Sequence, residues 1–444
     1  MPNLFAYGMI ILWPIIAILM YKRFDTVTAT FWTIVGGYMF LPAKTAIDLP
    51  LIPAIGKDEI SAIAAFIGCK FIKNEKVSLF GVGNVQKFVF GLILFIPFMN
   101  VVFNTEPMFN GRLWIQGLTL YDAVSQVLAQ YLSLLPFLIG MTIIKSRTDQ
   151  EKFIHLLVNA GLVYSILILF EIRNSPQLHT WVYGFFPHDF SQTFRSDGFR
   201  AVVFMGHGLL VATFLFVCVG AAAIQVKIGR EKNKVQNIII FCYLLLVLIL
   251  SKTLGALILG IIVCVSILLT GITFQKIIVR VFVLTFLLYP TLSILKLVPY
   301  DMIIDFISGF SVERAGSLSF RFTNEIAILE HAFIKLMVGW GSWGRNLLYA
   351  SIPDGYWLII YGTYGAIYFY ALFGLFISGT FITISKNTEK NDKTIYFGLS
   401  LILAGVLFDQ IPNSSLGASW LWLFSGLLAK SIFLMNRSKA KYRH

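Results

Sequence analysis

Five arginines, one lysine, three carboxylates and two histidines stand where an apolar chain has little use for charge. In RSDGFRAVVFMGHG (195–208), Arg195, Arg200 and His207 lead into an apolar run, and His188 with Asp189 precedes them. Lys252 interrupts LVLILSKTLGALILG, Arg314, Arg321 and Glu325 lie in ERAGSLSFRFTNEIAILEHAF, Arg345 follows, and Asp354 opens a long apolar run. Guanidinium forks pair bidentately with phosphate oxygens and an ammonium adds a point charge. Cations gathered at one membrane face therefore suit a polyanion with a bilayer-embedded tail, and a lipid-linked pyrophosphate has that chemistry. Plainer roles compete for each residue. An arginine alone is satisfied by a lipid headgroup or a carboxylate, for Arg321 an i, i+4 pair with Glu325. Lys252 can snorkel, His207 can serve as an interhelical hydrogen-bonding group, His188 and Asp189 can be a loop pair, and Asp354 can be a helix N-cap.

The elements that must position these groups are membrane helices. The 444 residues are 57% hydrophobic and 13% charged, with a mean hydropathy of +0.79, and apolar runs recur from end to end, so the fold class is an all-α polytopic membrane protein. The runs predict thirteen helices, within a range of about 12 to 14: 4–21, 28–43, 58–73, 87–104, 119–144, 153–171, 201–225, 235–251, 254–271, 278–297, 355–383, 394–411 and 414–435. Alternation across the bilayer puts the basic clusters YKRFD, KNEK, KSRTDQEK, KIGREKNK, FQKIIVR, KNTEKNDK and NRSKAKYRH on one side. A net charge of +13 thus reads as a topology signal with an outside N-terminus and a cytoplasmic C-terminus, not as a nucleic-acid surface. The first run has no basic residue before it and Lys22 and Arg23 after it, which predicts a retained helix.

Two connections on the other face, 172–200 and 298–354, exceed what a helical hairpin needs. Within the second, Arg321, Asn324, Glu325, His331 and Lys335 recur at helical spacing opposite apolar residues, which predicts an amphipathic helix at the outer interface. The four cysteines lie in or beside apolar runs without ligand spacing, so neither disulfides nor a metal site is expected. Without internal repeat or soluble segment, residues 1–444 read as one membrane domain, and no pair of interrupted helices is seen.

Four segments in order resemble the O-antigen polymerase and ligase superfamily, integral membrane glycosyltransferases that use undecaprenyl-pyrophosphate donors. RSDGFRAVVFMGHGLLVATF is similar to that family's Arg-x-x-Gly segment leading into a helix, with His207 where Asn is frequent; LSKTLGALILG is similar to its Ser-Arg-Thr-Gly segment, with Lys252 in place of Arg. SLSFRFTNEIAILEHAFIKLMVGWGSWG resembles the helix that carries a second arginine, here Arg321, and ends in Gly-x-Gly; DGYWLIIYGTYGAIYF resembles the segment after the large periplasmic loop. Ligases commonly begin that last segment with His-Asn, and Asp354-Gly355 looks more like the polymerases.

The resemblance implies a bacterial inner-membrane enzyme that polymerises lipid-linked repeat units into O-antigen, capsule or exopolysaccharide at the periplasmic face, by inverting, metal-independent transfer and without a cofactor. Donor and acceptor would be undecaprenyl-pyrophosphate-linked oligosaccharides, in contact with the bilayer and with a chain-length regulator as a partner. Arg195, Arg321 and Asp354 would be catalytic, and Arg200, His207, Lys252, Arg314 and Tyr356 would bind pyrophosphate or glycan. The base stays open among Asp354, Glu325, His188 and His207. A ligase to lipid A core or protein is the nearer alternative, and a transporter or flippase of an anionic lipid-linked glycan the more distant one.

Overall fold

The computed structural model describes residues 1–48, 52–195, 198–229, 231–348, 351–380 and 389–441, without the side chains of Arg195, Glu313 and 431–441. All thirteen expected segments contain helix, among them Leu4–Arg23, Asn84–Val102, Leu120–Ile143, Arg147–Asn174, Gly208–Ile228, Lys234–Leu250, Leu254–Leu269, Ile272–Ile294, Lys390–Asp409 and Ser419–Lys441. Among the described residues, eight are long and apolar enough to cross a membrane, fewer than the 12 to 14 expected. The protein is a multi-pass, all-helical membrane protein.

Several of the remaining segments are short or irregular for identifiable reasons. The expected 28–43 and 58–73 helices carry π-helical turns at Trp32–Gly36 and Gly68–Ile72, and Gly68 sits so close to the Tyr21 ring that any Cβ would overlap it. The helix expected from 201 starts only at Gly208, because side chains have taken the preceding backbone. The buried carboxylate of Glu171 accepts the N–H groups of Leu178, Val202 and Val203 at 3.0, 2.8 and 2.7 Å, and Tyr164 accepts that of Phe204. Backbone satisfied this way has no helical bond left to gain.

Loop contacts divide the bundle into two ends, in the alternation that the basic clusters predict. At the basic end, Lys145 pairs with Glu75 at 2.7 Å, Lys152 with Asp25 at 3.2 Å, and Arg147 with Glu389 at 2.8 Å and Asp392 at 3.1 Å. At the opposite end, the Asn3 N–H donates to the Tyr183 carbonyl, Ala43 donates to His179 Nε2, and Ser419 donates to Asp58. Two hairpins that apolar periodicity cannot reveal lie there, Met108–Asn110 with Leu113–Ile115 and Phe194–Arg195 with Gly198–Phe199. The long loop carries helices Tyr300–Ser308 and Val312–Phe333, the latter being the expected amphipathic helix. Arg345, one of the unexplained cations, is a structural tie: fully buried, it donates to the carbonyls of Gln116 and Glu106 at 3.0 and 2.9 Å.

The expected span 355–383 is not one straight rod, and a helix interruption absent from the sequence reading is present. Tyr356–Phe376 breaks at Gly365, whose φ is 78° and ψ 179°. Tyr356 and Phe373 then face each other with ring centroids 6.1 Å apart, where a straight helix would separate their Cα atoms by about 25 Å. The two arms fold back on one another. The break is filled by the Gly339–Gly341 strip, where Trp340 N–H donates to Gly362 O at 2.9 Å, Gly341 N–H to Thr363 O at 2.8 Å, and Ala366 N–H to Leu336 O at 2.8 Å. Asn100 also donates to the carbonyls of Val338 and Thr363. Gly339 and Gly365 have left-handed φ values of 74° and 78°, and a Cβ on either would overlap the facing backbone.

Gly365→Ala should therefore lower the thermal midpoint in detergent by several degrees or abolish purification of folded protein, since the left-handed backbone alone costs about 1–2 kcal/mol with a side chain. Gly374→Ala, in the second arm with nothing within 4 Å of its Cβ position, should be silent. Equal thermal midpoints for the two variants would contradict the broken-helix geometry.

Candidate functional site

Two groups of the sequence-predicted residues lie at the end opposite the basic clusters. The first is built on helix Val312–Phe333, which Ser311 starts by accepting the Arg314 N–H. Arg314, Leu318, Arg321 and Glu325 recur at helical spacing along one stripe. Arg314 is exposed at the helix start, whereas Leu318, Arg321 and Glu325 line a cavity of about 40 Å³ closed by Tyr289, Asp354 and Pro412. That volume holds a few water molecules and is far smaller than a sugar.

Within it, Arg321 Nε lies 3.4 Å from Asp354 Oδ2, and Nη1 donates to the Pro412 carbonyl at 3.4 Å. Both side chains of the pair are about one-third exposed, 33% and 34%, so this corner opens to the surface. Asp354 reaches it because the next residue is glycine. A Cβ on Gly355 would overlap the Ile411 carbonyl, and the close approach lets the Tyr356 N–H donate to Asn413 O at 3.0 Å. Burial raises the pKa of Asp354 and Arg321 opposes that rise.

Glu325 turns the other way. Its Oε1 accepts from the hydroxyls of Tyr289 at 2.7 Å and Tyr300 at 3.0 Å, and Tyr300 in turn meets Ser293 at 2.5 Å. Burial pushes the Glu325 carboxyl up to about 7, while its tyrosine hydrogen bonds pull it down. The plainer reading of Arg321 as a carboxylate's partner is met, though by a residue other than the one a turn along, and the helix-cap reading of Asp354 is not. Arg321 is matched to Asp354, not to Glu325 one turn along, and the N-cap of the following helix is Gly355 with no side-chain cap bond. Asp354 is not a helix cap.

The second group surrounds Lys252. This residue is not in a helix interior but in the turn between Lys234–Leu250 and Leu254–Leu269, with φ 54°, as the two-helix reading of 235–271 expects. A Cβ on Gly198 would lie 2.7 Å from Lys252 Nζ, so the hairpin that carries Arg195 sits on the lysine, with Arg195 paired to Gly198 through the backbone. Arg200 is buried, its aliphatic stem packed where a Cβ on Gly208 would be. His207 caps helix Gly208–Ile228: its Nδ1 accepts the Leu209 N–H at 3.1 Å, which leaves Nε2 to meet Gln192 Oε1 at 3.3 Å. The His188 ring stands 4.6 Å from it, centroid to centroid, and Asp189 caps the turn Phe190–Thr193 through Ser191.

Lys252 and the 195–200 hairpin are brought together as expected, while the described partners of Arg321 are Asp354 and Pro412. The sequence reading let Arg195, Lys252 and Arg321 converge; the described contacts give Arg321 a carboxylate partner of its own and link its surroundings to helix Gly208–Ile228 through the turn after Asp409. Asp409 is buried, accepts from Asn413 Nδ2 at 2.8 Å and from Thr213 Oγ1 at 3.4 Å, and so ties helix Gly208–Ile228 to the Ile411–Pro412 wall of the cavity. Sequence reasoning missed it, although an aspartate at the end of the 394–411 run was a visible signal. Tyr356 does not line the cavity; its ring packs on Phe373 inside the folded element.

Fold and charge layout define a multi-pass membrane protein with a partly exposed arginine–carboxylate pair at the end away from its basic loops. No family model, no curated protein and no solved structure matches the chain.

The Glu325 environment makes a spectroscopic prediction. Its protonated-carboxyl infrared band should disappear with a midpoint near pH 7 and be missing in Glu325→Gln. Tyr289→Phe removes a donor that favours the carboxylate, so the midpoint should move higher. A midpoint in the ordinary glutamate range would contradict the burial described.

Proposed function

We propose that this protein is a glycosyltransferase that polymerises lipid-linked oligosaccharide repeat units, the reading implied by the resemblance to the O-antigen polymerase and ligase superfamily. The observation that carries it is the Arg321, Asp354 and Glu325 arrangement: a cation, a partly exposed carboxylate beside it, and a second carboxyl held near neutral pH around one cavity. The donor is an undecaprenyl-pyrophosphate glycan and the acceptor a hydroxyl of a second lipid-linked repeat. The hydroxyl oxygen attacks the anomeric carbon, and the bond from that carbon to the pyrophosphate oxygen breaks with inversion. The electron pair leaves on pyrophosphate, and the hydroxyl proton passes to the ionised Glu325 carboxylate.

Arg321 stabilises the charge growing on the leaving group, and Asp354 holds the guanidinium and accepts from an acceptor hydroxyl. Lys252, with Arg195 and Arg200 of the adjoining loop, binds the second lipid pyrophosphate, which accounts for two cationic groups at one end of the bundle. Because the cavity is small, helix Val312–Phe333 has to move off Leu358 and Ile411 when a sugar enters. The site faces the periplasm and the protein lies in the bacterial inner membrane, with the basic loops in the cytoplasm.

Transfer to lipid A core or protein uses the same donor chemistry and is separated by the acceptor assay below. The break at Gly365 is a feature that transporters share. In this chain the freed carbonyls of Gly362 and Thr363 accept from Trp340 and Gly341, so that backbone is committed to the protein and not presented to a cargo.

Purified protein given lipid-linked repeats should lengthen them. Arg321→Ala should cut the rate by roughly 10²–10³-fold, the 2–4 kcal/mol scale of a lost transition-state donor. Asp354→Asn should abolish elongation with a thermal midpoint near wild type, since a partly exposed ion pair is worth about 1 kcal/mol at most. The rate should rise with pH through about 7 as Glu325 ionises and become flat there in Glu325→Gln. Full-length polymer from both the arginine and the glutamate variants would overturn the proposal, and repeats moved only onto lipid A core would favour the ligase. Reporter fusions in the 229–233 loop should report the cytoplasm.

A further inference from the structure

The larger cavity lies at the basic end, far in the fold from the site above, and none of the preceding chemistry uses it. It measures about 310 Å³, which is at the lower bound of small-ligand pockets. Lys76, Lys145 and Lys430 line it from three separate segments, together with the polar side chains of Asn74 and Ser78; Leu138, Met141 and Val82 supply an apolar wall. Glu75 is the one carboxylate in the lining and is already engaged by Lys145 at 2.7 Å. Next along the chain from the lining residues Ser78, Gly81 and Val82 come Leu79 and Phe80, 44% and 49% exposed, and Val85 and Phe88, 77% and 71% exposed, at the start of helix Asn84–Val102. Side chains this apolar and this exposed at the end of a membrane helix face acyl chains.

We infer that this cavity binds the phosphate headgroup of an anionic phospholipid from the leaflet at the basic end. The ligand chemistry follows from the lining. Three ammonium groups and one carboxylate, which Lys145 already pairs, leave the lining with a net positive charge that suits a phosphate anion. The apolar wall takes the glycerol backbone, and the exposed Leu79–Phe88 flank continues into the acyl region. Basic pockets between transmembrane helices on this side of the membrane are suited to such headgroups, each lysine near an anionic surface contributing on the order of 1 kcal/mol. The walls come from the 74–82 loop, the end of helix Leu120–Ile143 and helix Ser419–Lys441, so an occupied cavity ties three segments together.

The test uses full-length protein in nanodiscs of defined composition, with retained lipids counted by native mass spectrometry after transfer to detergent. Wild type should retain phosphatidylglycerol over phosphatidylcholine by roughly tenfold, and Lys76→Gln with Lys430→Gln should lose that preference. Lys76→Arg, which keeps the charge, should retain it and so report on folding. A double change of equal charge outside the cavity, Lys22→Gln with Arg23→Gln, should also retain it. Equal loss in that control would mean diffuse surface attraction and overturn the site, as would an unchanged preference in the cavity variant. Inorganic phosphate at millimolar concentration should not displace the retained lipid. Displacement would assign the cavity to a soluble phosphate compound and overturn the lipid.

Discussion

Backbone polar groups at membrane depth must find partners within the protein, and in this structure that constraint is met at one seam. The helix that follows Asp354 is broken at Gly365, and the freed groups of Gly362, Thr363 and Ala366 bond to the strip Leu336–Gly341. The strip is the continuation of helix Val312–Phe333. The seam therefore holds the element that carries Arg321 and Glu325 against the element that begins just after Asp354, and residues more than thirty positions apart meet at 3.4 Å. Gly339, Gly355 and Gly365 are where main chain meets main chain too closely for any Cβ. Lys335 adds a clamp, donating to Phe103 O and Asn104 Oδ1 at 2.6 and 2.7 Å while lying over the Trp340 ring.

Charge is arranged differently at the two ends. The basic end is laced by partly exposed ion pairs, each worth little in water. At the other end, most charged groups are dedicated to backbone or to one another. Glu171 holds three N–H groups, Arg345 two carbonyls, and Lys57 the carbonyls of Tyr38 and Phe204. Such groups are costly to leave unmatched, so they lock the loops in place. Arg321 and Asp354 differ in pairing with each other where both are about one-third exposed, and the bonds described for the Glu325 carboxylate come from tyrosine hydroxyls.

The histidines show how burial separates framework from chemistry. His179 is locked, with Nδ1–H donated to Phe185 O at 2.7 Å and Nε2 accepting from Ala43, and burial drives its pKa down to about 4. The unfolded chain takes up that proton near pH 6.5 and the folded one only near 4, so its contribution to stability is complete above pH 6.5 and is lost as the pH falls between the two. His207 is held at both nitrogens, Nδ1 capping a helix and Nε2 meeting Gln192.

The existence of the helices, the gathering of basic loops at one end of the bundle, and the amphipathic character of Val312–Phe333 were legible in the sequence, because they follow from local hydropathy, basic clusters and helical periodicity. Lys252 as the turn between two helices was legible too. What the sequence does not contain is partnership. The i, i+4 rule pointed Arg321 at Glu325, and the tertiary structure gave it Asp354, because the Gly355 approach to Ile411 brings that carboxylate within reach and two tyrosine hydroxyls claim Glu325. Hydropathy likewise drew 355–383 as one rod and 201–207 as helix. Only the folded chain shows a left-handed glycine paired with distant backbone in the first, and a glutamate from another helix collecting the N–H groups in the second. Composition and period act along the chain and decide which segments enter the membrane; hydrogen-bond satisfaction acts across it and decides which charges meet.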